Sequence, residues 1–140
     1  MAVDQTYSDS FLSSVSQLGV PHGFMSAILD TASVGISAGD QWEALSIPAG
    51  TLVTEVGLLV MTAEGATMTI DVGASDPDGF LDGVDGNVAN AVYNSLEDGA
   101  GAKAGGEYFS AADTIDVTFV NAADTAKVMI WCRYVASKDL

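Results

Sequence analysis

The chain has 140 residues and a formal net charge of −15, set by 19 acidic side chains against 4 basic ones. Its length suits one domain with a core that needs no staple, and 49% hydrophobic against 16% charged residues argues against disorder. A field of this sign repels phosphate, so nucleic acid and anionic membrane are poor partners, whereas a soluble, displayed protein or one with a basic partner is well served.

Residues 1–22 read as an N-terminal arm, rich in serine and thinly apolar. Phe11, Leu12, Val15 and Leu18 fit one face of a short helix after a Ser8/Asp9 cap. Serine is a mediocre helix former, so the segment is either a frayed terminus or an arm ordered by contact with a partner. MAVDQTYSDSF lacks the basic start and apolar stretch of a signal peptide, and no run reaches the ~18 apolar residues of a membrane span. Synthesis in a cytoplasm and a soluble product are expected.

From residue 23 to 140 the signals are those of one β-sandwich domain. FMSAILDTASVGI (24–36) and WEALSI (42–47) read as strands. LVTEVGLLVM (52–61) is apolar on both faces, as a strand central in a sandwich or facing another subunit would be. TMTIDV (67–72) alternates Met68, Ile70 and Val72 against Thr67, Thr69 and Asp71. TIDVTFV (114–120) repeats the pattern, with Ile115, Val117 and Phe119 inward. KVMIWCRYVA (127–136) is again two-faced, with Val128, Ile130, Cys132 and Tyr134 opposing Met129, Trp131 and Val135. IPAG (47–50), SAGD (37–40), AEGA (63–66) and NAAD (121–124) are compact breaks. Short strands at this spacing predict an all-β, antiparallel sandwich of jelly-roll type. In NVANAVYNSLEDG (87–99), Val88, Val92 and Leu96 recur every fourth residue, a pattern open to a short helix or an ordered loop.

DVGASDPDGFLDGVDGNV (71–88) poses the question of a calcium site. A twelve-residue EF-hand count from Asp76 puts Asp78 and Asp82 in register but fails at Phe80, Leu81 and Asn87. SDPDG is a strong type I turn signal, after which Phe80 and Leu81 dip into the core and DGVDGN turns the chain again. Two structural turns are therefore preferred to a cation site, and no metal is assigned.

Catalytic chemistry is scarce. His22, the single histidine, has no evident local acid–base partner, and Cys132, the single cysteine, reads as a small buried hydrophobe. No nucleophile elbow, zinc motif or phosphate loop is present, so neither catalytic residues nor a cofactor are expected. GAGAKAGG (99–106) lacks the GK[ST] of a phosphate loop and reads as a flexible segment. Trp42, Trp131, Tyr93, Tyr108 and Phe109 are candidates for a sugar-stacking platform, set against core or interface packing.

IPAGTLVTEVGLLVMTAEGATMTIDVGASDPDGFLDGVD, with the later YFSAADTIDVTFVNAADTAKVMIWCRYV, resembles a layout of small phage virion proteins. An IPAGT turn opens a long strand, a DPDGFLDG double turn follows, and SAADTIDVTF begins the last hairpin. The resemblance covers residues 42–136 and points to the capsid cement, or head decoration, proteins of tailed phages, of the small jelly-roll type found in a Bordetella podophage. It implies a place on the outer capsid surface of the virion, clamping neighbouring major capsid protein subunits, and a homo-oligomer, dimer or trimer. The family offers no motif-defined contact residues. The composition of the arm nominates Tyr7, Phe11 and Leu12 as capsid contacts, and the two-faced strand nominates Met129 and Trp131 as oligomer contacts. The competing reading is a carbohydrate-binding or fibre-tip module on a virion surface.

Overall fold

The computed structural model describes residues 22–136. Their order is β1 (His22–Asp30), α1 (Thr31–Val34), β2 (Gln41–Ile47), β3 (Thr51–Thr62), β4 (Thr69–Gly73), β5 (Leu81–Asp85), β6 (Val92–Asn94), β7 (Glu107–Phe109), β8 (Asp113–Phe119) and β9 (Lys127–Ala136). The arm, and with it Tyr7, Phe11 and Leu12, lies outside the described residues.

Two antiparallel sheets pack as a sandwich. One has the order β1-β9-β3-β6, with β7 also on β3; the other runs β2-β8-β4-β5. The chain crosses from sheet to sheet as it goes, and its first and last strands pair side by side. This is the jelly-roll arrangement, with β6 and β7 sharing one strand position.

The alternation read from sequence sets the core. Met68, Ile70 and Val72 from the β4 segment, Ile115, Val117 and Phe119 from β8, and Val128, Ile130 and Cys132 from β9 all point inward and are buried. The two apolar-on-both-faces segments, β3 and β9, are neighbours in the interior of one sheet. Phe80 and Leu81 are fully buried after the aspartate turn.

Two local readings change, and a third, left open, is decided. Residues 24–36 are not one strand: β1 stops at Asp30, whose carboxylate accepts from the Ala32 amide and caps the four-residue α1. Gly35, at φ +65°, ends that turn in a conformation that glycine alone adopts freely. The stretch 87–99 is no helix but turns around the short β6, with Val88, Val92 and Leu96 exposed. The glycine-rich segment 99–106 packs against the aspartate turn. The Lys103 amide donates to the Gly79 carbonyl at 2.7 Å, and a side chain at Gly101 would run into the Asp78 and Gly79 carbonyls. Gly99 and Gly101 thus serve close backbone approach.

Candidate interaction surface

The sandwich has two unlike outer faces. On the β2-β8-β4-β5 sheet the outward positions are polar or acidic, among them Gln41 and Glu43 on β2, Thr114, Asp116 and Thr118 on β8, and Asp71 on β4. Asp116 is nearly buried within this face, and its Oδ2 accepts from the Gln41 amide at 2.9 Å. Burial raises its pKa above the usual carboxylate range, with Glu43 and Asp113 adding to the effect.

The opposite sheet presents apolar side chains. The register aligns Ile28, Met129, Leu59 and Val92 in one row across β1, β9, β3 and β6. The next row holds Ser26, Trp131, Gly57 and Asn94, and Phe24 lies opposite Arg133 beyond it. Phe24 and Trp131 stack with ring centroids 5.7 Å apart. Exposed apolar residues on this face include Phe24 at 60%, Ile28 at 53% and Val92 at 59%. Exposed apolar side chains grouped on one face make it the candidate contact surface of the sandwich. Met129 and Trp131 are half-buried in its middle, facing out of the sandwich.

Gly57 makes room for the tryptophan. The Trp131 indole lies flat across it, where any side chain would collide with the ring. Gly57→Ala is expected to lift the indole off the sheet, break its stack on Phe24 and shift Trp131 emission to longer wavelength. The cost is about 1–3 kcal/mol, as for other overpacked sites. An unchanged emission spectrum in a background where Trp42 is phenylalanine would refute this placement.

Charges on the apolar sheet are paired. Arg133 Nε meets Glu55 Oε1 at 3.2 Å, Lys127 meets Asp30 at 3.3 Å, and Glu55 also accepts from the Asn94 amide. Lys103 pairs with Glu107 at 3.6 Å. Among the described residues, each Lys and Arg side chain is thus matched with an acid.

The other candidates fall into place. Gly79 N donates to the Asp76 carbonyl at 3.0 Å, closing the turn predicted for SDPDG. Asp71 accepts from Gly83 N at 2.7 Å and Asp85 from Asn87 N at 2.8 Å, so these carboxylates serve turn amides. A side-chain hydrogen bond with Asp78 raises the Asp76 pKa. Among the described residues, no three His, Cys, Asp or Glu side chains are grouped to hold a metal ion. Cys132 is buried, and burial pushes its thiol up to about 11, far from a reactive thiolate. His22 opens β1, opposite Val135. The five aromatics do not assemble: Phe109 is buried and Trp42 and Tyr93 pack against the core, leaving Trp131 and Tyr108 outward on different strands. The row of Ile28, Met129, Leu59 and Val92, with Phe24 beyond it, was not singled out from sequence. Its signal was present in the outward set of each strand, but joining those sets needs the strand order.

No family model matches this sequence, and no curated protein sequence matches it either. Solved structures do match. The fold occurs in phage capsid structures. A chain in the capsid of Ralstonia phage GP4 aligns with a TM-score of 0.58 at 19% identity, over 84% of this chain and 84% of that one. A chain in the acidic stable capsid structure of Helicobacter pylori bacteriophage KHP30 gives 0.53 at 14% identity, over 81% of this chain and 86% of the other. One in the capsid asymmetric unit of cyanophage Pam1 gives 0.51 at 13%, over 84% of each. At these identities the likeness is one of fold, over 81–84% of this chain.

Proposed function

We propose that this chain is a non-enzymatic structural protein of a phage virion, a cement protein that binds the outside of the capsid. There it clamps neighbouring major capsid protein subunits and stabilises the expanded head. The observation that carries the reading is the shared jelly roll, matched over most of this chain to chains of three phage capsids. The apolar outer sheet supports it, because a protein of this kind works through surfaces rather than a cleft. Met129 and Trp131 then contribute to self-association as a dimer or trimer, and Tyr7, Phe11 and Leu12 of the arm contact the capsid.

Many modest contacts repeated over a lattice give avidity that no single site needs. The acidic field steers the protein towards basic patches, so capture weakens at high salt. The test is cryo-electron density of heads lacking the protein after incubation with the full chain or with a form missing residues 1–18. The full chain is expected to decorate the heads and the truncated form to occupy them poorly. Bare heads should release genome at lower temperature than decorated ones. Equal occupancy by both forms would remove the arm's role, and no occupancy by either would overturn the cement reading.

A further inference from the structure

The free edge of β1 adjoins the apolar face. At nine residues β1 is the longest strand on any sheet edge, and among the described residues only β9 pairs with it. Exposed edges are ordinarily guarded by a charge, a proline or a bulge. Between Gly23 and Leu29 β1 has none of these. Of the other edge strands, β2 carries Glu43, β5 carries Asp82 and Asp85, and β7 carries Glu107; β6, Val-Tyr-Asn, is uncharged but only three residues long. In a chain of net charge −15, β1 is therefore the one edge strand longer than three residues, among the described residues, that offers a second copy a run free of acids, from Gly23 to Leu29.

The hydrogen-bond alternation fixes what that edge offers. Thr31 N donates to the Ala126 carbonyl at 2.9 Å, just beyond the Asp30–Lys127 pair. Counting back in twos, the odd-numbered residues of β1 bond to β9, and the amides and carbonyls of Phe24, Ser26 and Ile28 face away from it. These same residues put their side chains on the apolar outer face. An antiparallel copy that overlaps all of β1 has its twofold axis at Ser26. Phe24 then stands opposite Ile28 of the second copy, and position 22, the only histidine, stands opposite its Asp30.

We infer that β1 is a self-pairing edge, through which two copies join their apolar sheets into one continuous antiparallel sheet about a twofold axis at Ser26. The Phe24–Arg133 row of one copy then runs into Ile28 and Met129 of the other, the two Ser26–Trp131 rows meet on the axis, and the apolar surface doubles in width. This deepens the self-association proposed above and does not depend on capsid binding.

Ser26 is exposed, and its amide faces the open edge, so its replacement spares both core and ladder. Across a twofold axis of this type the two Cα atoms lie about 5.5 Å apart, within reach of a disulfide. Ser26→Cys in the full chain, oxidised mildly without capsids, is expected to give a covalent dimer, whereas Ser33→Cys on α1 stays uncrosslinked. Sedimentation should show the unmodified chain as a dimer and Ser26→Lys as a folded monomer by circular dichroism, since two lysines would meet on the axis. A monomeric unmodified chain, a trimer that Ser26→Cys does not crosslink, or a dimer indifferent to Ser26→Lys would each overturn the inference. A dimer lost only on deleting residues 1–21 would assign self-association to the arm instead. The decoration experiment separately judges the cement reading.

Discussion

Replacing Phe80 with alanine is expected to cost about 3–5 kcal/mol of stability, the range for a large aromatic removed from a packed core. Phe80 is fully buried, and its amide donates to the Val72 carbonyl at 2.9 Å, so the backbone holds the side chain's place. The loop 99–106 closes over the neighbouring turn, which limits collapse into the void. For a domain of this size the midpoint of thermal unfolding should fall by about 10–20 °C. Val88→Ala, at a position 49% exposed, serves as the control and should change stability by less than about 0.5 kcal/mol. Urea titration with an unchanged slope measures both. A loss below about 1 kcal/mol for Phe80→Ala would contradict its place in the core.

Glu64 is the second sensitive position. Its side chain is buried, and its carboxylate accepts from the amides of Asp124, at 2.9 Å, and Thr125, at 3.0 Å, with Ala126 at 3.4 Å. One anion thereby organises the turn between β8 and β9. Glu64→Ala strands these donors. Water can reach Asp124 and Thr125, which are exposed, but not the buried Ala126, so the expected cost is about 2–3 kcal/mol. Glu64→Gln keeps an acceptor and should recover part of it. Hydrogen exchange at 124–126 reads the effect directly. Protection unchanged in Glu64→Ala would mean that the turn holds itself without the carboxylate.

The strands were legible because their information is local. Met68, Ile70 and Val72 alternate with polar neighbours whatever they pair with, and SDPDG carries its own turn chemistry. Strand order is not local. That β9 lies between β1 and β3 depends on pairings between distant segments, and the apolar row through Met129 exists only once those are made. The short α1 escaped notice because four residues cannot display a helical period, although Asp30 and Gly35 mark its two ends. Residues 99–106 misled for a related reason. Glycine reads alike where a chain is free and where another backbone must come close, and only the neighbouring carbonyls of Asp78 and Gly79 tell the cases apart. Tyr7, Phe11 and Leu12 lie outside the described residues, so the capsid test alone bears on them.

The pairing of the first strand with the last has a consequence for synthesis. On the ribosome β1 emerges before the strands that follow it, yet β9, its only partner among the described residues, is made at the far end of the domain. Until then an uncharged stretch of Phe24, Met25, Ala27, Ile28 and Leu29 has both edges open. The nascent chain therefore carries its most association-prone strand unguarded for nearly the whole of translation. Growth temperature and translation rate, more than the stability of the finished sandwich, should then govern how much soluble protein a cell makes.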